Sequence, residues 1–104
     1  MSADLSITAA WADGDYRFRL GMKQIRELQD SCGAGPLELL DRIAGGRFRA
    51  TDIGEVVRLG LIGAGMDPLA ALAKVRSYVG ERPLGECRLL AVSILSAAIF
   101  GARP

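Results

Sequence analysis

The sequence predicts a mainly helical α+β domain, an N-terminal β-hairpin followed by a compact bundle of four to five short helices. Three observations predict it. Leu5, Ile7, Ala9 and Trp11 alternate with Ser6, Thr8 and Ala10, and after Asp13-Gly14 the alternation resumes at Tyr16, Phe18 and Leu20. Two period-two runs around an Asp-Gly are the signature of a hairpin. From Met22 onward the apolar spacing changes to three and four, the period of a helix facing a core. The hydrophobic half of the chain (50%) contains few aromatics (6%), so its core is one of Leu, Ile, Val and Ala, a set that suits packed helices. At 104 residues the chain is expected to be one domain over 1–104, with the hairpin at 5–20 and the helical part at 22–101.

Each element has its own warrant. The hairpin is too small to be stable alone, so its apolar face is expected on the helices that follow. Asp13 and Asp15 are explained by turn chemistry and require no metal. The first helix runs from Met22 to Cys32 with Met22, Ile25, Leu28 and Cys32 inward. Lys23/Glu27 and Arg26/Asp30 are i,i+4 pairs on its outer side, and Gly33 lies just past its end. Gly35-Pro36 opens a second helix, with Leu37, Leu40, Ile43 and Ala44 inward and Gly45-Gly46 closing it. Thr51 or Asp52 caps the third, where Asp52 and Glu55 suit the positive end of the helix dipole. Its inner face is Ile53, Val56, Val57, Gly60, Leu61 and Ala64.

The stretch from Leu59 to Met66 has the glycine content of a phosphate-binding loop but the wrong context. Such a loop leaves a strand and opens a helix, whereas these glycines follow a helix and lack a Gly-Lys-Ser/Thr ending. They end the third helix. Asp67 then caps a fourth and Pro68 takes its first position, where a missing N–H costs nothing. The fourth helix is expected from Pro68 to about Val79, burying Leu69, Leu72, Val75, the stem of Arg76 and Val79, and stopping at Gly80.

The last segment differs. Between Leu89 and Phe100 no charged residue occurs, and the only polar side chains are Ser93 and Ser96. It is too short to span a bilayer, which takes about 20 residues. A helix apolar on all sides is either the centre of the core or has a spare face that meets another chain.

Composition excludes several functions. The 13 Lys+Arg and 12 Asp+Glu leave a net charge of +1, which argues against a chain devoted to neutralising phosphates. There is no histidine, hence no Ser-His or Cys-His nucleophile, no usual neutral-pH base and no commonest metal ligand. Cys32 and Cys87 lack any Cys-x-x-Cys spacing and read as buried small hydrophobes. In Arg17-Phe18-Arg19 and Arg47-Phe48-Arg49 the Phe falls where a core residue is wanted and the arginines on the solvated side. No secretion signal is recognisable in Met1-Ser2-Ala3-Asp4-Leu5, so the cytoplasm is the expected location. No cofactor, metal, catalytic residue, nucleic acid or membrane is expected.

In this order the elements resemble a known family, the small tail-assembly chaperones of siphophage-like particles, particularly the gene transfer agents of alphaproteobacteria. The likeness is carried by the hairpin Asp13-Gly14-Asp15-Tyr16-Arg17-Phe18-Arg19-Leu20, then Ile25, Leu28 and Asp30, then Gly33 with Leu37-x-x-Leu40. It continues through Arg47-Phe48-Arg49-x-x-Asp52-Ile53, the glycine run Gly60–Met66, Arg82-Pro83-Leu84, and Ala91-x-x-Ile94-Leu95-x-Ala97-Ala98-Ile99-Phe100-Gly101. One departure is Gln29-Asp30, where similar sequences tend to carry Leu-Glu. The resemblance implies a non-enzymatic assembly factor of the host cytoplasm, absent from the mature particle. Such a factor binds the tape-measure protein, keeps it soluble and helps recruit tail-tube protein. A homo-oligomer is compatible with it. Leu89, Leu90, Ile94, Leu95, Ile99 and Phe100 form the expected partner-binding set. Two other readings remain open: a structural tail-completion or connector subunit, and a small helix-turn-helix regulator built on the third and fourth helices.

Overall fold

The computed structural model describes residues 4–101. Strands β1 (Ser6–Trp11) and β2 (Gly14–Arg19) form an antiparallel hairpin, followed by helices α1 (Met22–Cys32), α2 (Pro36–Ala44), α3 (Asp52–Gly63), α4 (Pro68–Val75) and α5 (Arg88–Phe100). The mainly helical fold with an N-terminal hairpin is as the sequence predicts.

The hairpin register pairs Ile7 with Phe18, Ala9 with Tyr16 and Trp11 with Gly14, so Ile7, Ala9, Trp11, Tyr16 and Phe18 share one face. That leaves Ala12 and Asp13 as the two-residue loop, one position earlier than the Asp-Gly signature places it. Ala12 adopts the left-handed conformation, φ 57°, which a glycine would take at less cost. Asp13 is thereby free to accept hydrogen bonds from Lys74 Nζ at 3.1 Å and from the Tyr16 hydroxyl. These hold its carboxyl below the usual range, with the Tyr16 O–H the larger cause. The Lys74 ammonium lies 5.0 Å from the Tyr16 ring centre and 5.5 Å from that of Tyr78, a clasp joining the hairpin tip to α4.

Helix α3 is the axis of the core. Ile53, Val56, Val57, Leu59 and Leu61 are all buried on it, and it touches every other helix as well as β2. Its glycines let the neighbours close in. A Cβ on Gly63 would stand 1.8 Å from the Arg19 carbonyl oxygen, and one on Gly60 would press at 3.3 Å on both Phe18 and Ile94. The chain then turns through Gly65, φ 111°, and Asp67 caps α4 by accepting the Ala70 N–H at 3.1 Å, with Pro68 in the first position as expected.

Several side chains face differently from the helical spacing read above. Met22, Leu37 and Leu69 are 66%, 52% and 77% exposed, and Ala44 is exposed too. Leu39 and Ala71 are buried in their place. Each of these helices is only two to three turns long and carries apolar residues on more than one side, so the direction of its neighbours, α5 and α3 for α2, selects the inner face. The pairs Lys23/Glu27 and Arg26/Asp30 do not form. Glu27 instead accepts from Arg58 of α3 at 3.0 Å, and Arg58 is also held by Glu55 at 2.7 Å. Helix α4 ends at Val75 and continues to Gly80 as a π-helical turn. Ala71, Val75 and Val79 are spaced by four, wider than the 3.6-residue period, and the wider turn returns Val79 to the α3 side. There Val75 and Val79 close over Gly54.

Asp52 does more than complement a dipole. It is fully buried and receives both Arg42 Nε at 2.9 Å and Nη2 at 3.0 Å, together with the Arg49 N–H at 2.7 Å. Arg42 Nη2 and Arg49 Nη1 also donate to the Cys32 carbonyl at the end of α1. One carboxylate thus ties the ends of three helices. The Cys32 thiol beside it is pushed up to about 12, first by burial and then by the Asp52 charge. Cys32 and Cys87 are both buried and free, as expected of small core residues.

Candidate functional site

Helix α5 is fixed at its start by Arg88, which donates from Nη1 to the Ala44 carbonyl at the end of α2 at 2.9 Å. From there one side of the helix enters the core: Ala91, Ile94, Leu95 and Ala97 are all buried against α2, α3 and the hairpin. The other side carries Leu89, Ser93, Ser96 and Phe100, spaced by four, three and four and therefore in one stripe about 16 Å long. Leu89 is 68% and Phe100 69% exposed, Ser93 is exposed and Ser96 half-buried. Leu90 and Ile99 flank the stripe, half-buried.

The six residues expected to bind a partner therefore divide. Leu89, Phe100, Leu90 and Ile99 belong to the accessible side. Ile94 and Leu95 do not, because they are 1% and 0% exposed members of the core, Ile94 lying against the same side of Gly60 as Phe18. The helix is neither the centre of the core, which is α3, nor a separate appendage. One face is core and the other is open.

Two features beside the stripe were not anticipated. A groove of about 470 Å³ runs between α5 and β1, lined by Ile7, Thr8, Ala9 and Ala10 on one wall and Leu89, Leu90 and Ser93 on the other. Beyond Ala10 it continues into a second hollow of about 330 Å³, walled by Trp11, Tyr78, Cys87 and Leu90 with the ion pair Arg82–Glu86 at its rim. Trp11 is fixed there by edge-on contacts with Tyr16, Phe18 and Tyr78 at 5.8–5.9 Å. The π-helical turn brings Tyr78 to that position. The signal for the groove in the sequence is the run from Leu5 to Ala12, eight residues without a charge or a proline around a strand that, among the described residues, has a neighbouring strand on one side only.

Chemically these surfaces offer apolar contact, small hydroxyls and backbone hydrogen bonds. Among the described residues there is no group of three His, Cys, Asp or Glu side chains that could hold a metal ion, and no helix long and apolar enough to cross a membrane. The α3–α4 joint presents Leu69, Ala70, Ala73, Arg76 and Ser77 outward, while Lys74 is engaged by Asp13. That is an uneven and mostly apolar face for a DNA groove.

Fold and surface together define a small, mainly helical protein whose open surfaces are apolar with small hydroxyls. The chain belongs to the tail-protein family described as phage tail tube protein, GTA-gp10, whose profile matches residues 5–101. No curated protein and no solved structure matches it.

Proposed function

We propose that this protein is an assembly chaperone of a phage-like or gene-transfer-agent tail, and that it binds the tape-measure protein through the open stripe of α5. The observation that carries the reading is the stripe itself, two large apolar side chains at the ends, two serines between them and no charge along its length. A long helical client with apolar stripes needs cover until the tube encloses it, and the small serines let a partner helix come close while Leu89 and Phe100 grip its flanks. The patch is small, so each contact is weak and the client is released when tube subunits replace the chaperone. The chaperone acts in the host cytoplasm, contacts the tail-tube protein during that exchange, performs no catalysis and leaves before the particle is complete.

A second reading, a structural subunit of the tail, is favoured by the description of the family to which the chain belongs. Co-expression with the tape-measure protein of the same gene cluster separates the two. A soluble, co-purifying complex and finished particles free of this chain support the chaperone. An insoluble tape measure, with this chain retained in purified particles at fixed stoichiometry, supports the structural subunit.

A further inference from the structure

The hairpin has two edges, and they are built differently. On β2 the side chains Asp15, Arg17 and Arg19 bring charge to the strand, and the end of α3 lies against Arg19, close enough that Gly63 could carry no side chain. Charge and cover are the ordinary protections of a sheet edge. On β1 the charge is missing, since Ser6–Trp11 holds no charged residue and no proline, and α5 lies alongside it with the groove in between.

The backbone groups on that edge follow from the register. Trp11 and Gly14 flank a two-residue loop and so form a hydrogen-bonded pair, and pairs alternate along an antiparallel ladder. Ala9 and Ile7 are then bonded to β2, while the N–H and C=O groups of Ser6, Thr8 and Ala10 point away from it. Ser6 agrees with this, because its N–H donates to Asp4 Oδ1 at 2.8 Å, off the ladder. Among the described residues neither Thr8 nor Ala10 has such a partner. Both side chains are exposed, and both residues line the groove whose opposite wall is Leu89, Leu90 and Ser93.

We infer that the free edge of β1 pairs with β1 of a second copy, joining two hairpins into a four-stranded antiparallel sheet across a two-fold axis. The occupant of this edge must be extended and uncharged. β1 is such a strand, whereas the chain's other strand, β2, carries three charges. The two-fold register that uses the free groups sets Thr8 opposite Ala10 of the partner copy and Ala9 opposite Ala9, giving four reciprocal backbone hydrogen bonds. On the core-side face it sets Ile7 opposite Trp11, so no like charges meet. The partner strand occupies the groove and covers Leu89. The shared strip is about 20 Å long and about 10 Å deep, well short of the ~800 Å² that each partner of a stable dimer buries, so the dimer is concentration-dependent. This inference does not rest on the chaperone reading, and its test uses the chain alone.

Sedimentation of the full chain from about 5 to about 500 µM, a range that brackets a small interface, should show the mass rising from one 11.0 kDa chain toward two. Exchange of the Thr8 and Ala10 amides should slow over the same range. Thr8→Lys and Ala10→Glu each place like charges side by side across the axis. Each should weaken association at least tenfold with an unchanged far-UV spectrum, and a 1:1 mixture of the two should recover it, since the new lysine then faces the new glutamate. The proposal is overturned if the unaltered chain stays monomeric to the top of the range with concentration-independent exchange at Thr8 and Ala10. It is also overturned if the variants associate like the unaltered chain, or if the mixture stays monomeric.

Discussion

The double substitution Leu89→Asp with Phe100→Lys separates binding from folding at the α5 stripe. Asp is introduced in the first turn of α5 and Lys in the last, so each new charge complements the helix dipole and the helix itself is not penalised. Full burial of a large apolar side chain stabilises by about 1.5–3 kcal/mol. Leu89 and Phe100 are 68% and 69% exposed, so about two-thirds of that gain is still unrealised in the free protein. A client that covers both therefore gains about 2–4 kcal/mol, and losing it weakens binding by roughly 30- to 1,000-fold at 1.4 kcal/mol per decade. The same residues contribute only the remaining third to folding, below about 1 kcal/mol each. Leu95→Asp is the contrast. Leu95 is completely buried, and an unpaired carboxylate there removes the packing as well, at a cost above about 4 kcal/mol. Urea unfolding measures the cost to folding, and titration of a labelled tape-measure segment measures the loss of binding. If the double variant binds like the unaltered protein, or unfolds as readily as Leu95→Asp, the division of α5 into a core side and a binding side is refuted.

Three further outcomes follow from the fold. Asp52→Ala strands the Arg42 guanidinium and removes the acceptor of the Arg49 N–H, so it should cost about 3–5 kcal/mol and lower the thermal midpoint by about 15–25 °C; a loss under about 1 kcal/mol by calorimetry contradicts the buried knot. Ala12→Gly relieves the left-handed φ of 57° and should raise stability by about 0.5–1 kcal/mol, read as a higher urea midpoint; a lower midpoint means that the turn is not strained. The Arg58 hydrogen bond is the main cause that holds Glu55 below its ordinary value of 4.5, so its contribution is present above that pH and fades as pH falls through the folded-state value below it. Glu55 is partly exposed, which keeps this contribution under about 1 kcal/mol, and Glu55→Gln should make the acid limb of a stability–pH curve shallower; identical limbs would remove the pair from the account.

The fold was legible because its punctuation is local. Gly33 at the end of α1, Gly35-Pro36 before α2 and Asp67-Pro68 before α4 each act through their own backbone or side chain, and all three fall where expected. What was not legible depends on partners distant in sequence. The Asp13-Gly14 turn and the observed Ala12-Asp13 turn give registers that differ by two residues, so both keep Ile7, Ala9, Phe18 and Tyr16 on one face and the period-two pattern cannot choose between them. The choice is made by Lys74, 61 positions away, which holds Asp13, and by Tyr78, which seats Trp11. Asp52 was legible as a first-turn acid but not as the partner of Arg42, because helical spacing carries no information across the α2–α3 loop. At the site, a helix apolar on all sides has no preferred direction in its own sequence. Only the positions of α2, α3 and the hairpin decide that Ile94 and Leu95 face inward while Leu89 and Phe100 remain open.

The open side of α5 and the bare edge of β1 have a common cause in the charge pattern. With a net charge of +1 the chain has little long-range repulsion to keep copies or clients apart, so the local arrangement of charge decides where contact occurs. Arg58 is bound to Glu27 and Glu55, Lys74 to Asp13, Arg82 to Glu86 and Arg42 to Asp52. None of these pairs lies on β1 or on the α5 stripe; Lys74–Asp13 stands at the hairpin tip and Arg82–Glu86 at the rim of the adjoining hollow, and each is internally neutral. Contact at these surfaces therefore requires no charge to be stripped of water, the largest cost in covering a polar face. Ser93 and Ser96 limit the apolar area that is left, and so limit affinity. A surface that is easy to cover and weakly held is the physical requirement of a partner that must later be displaced.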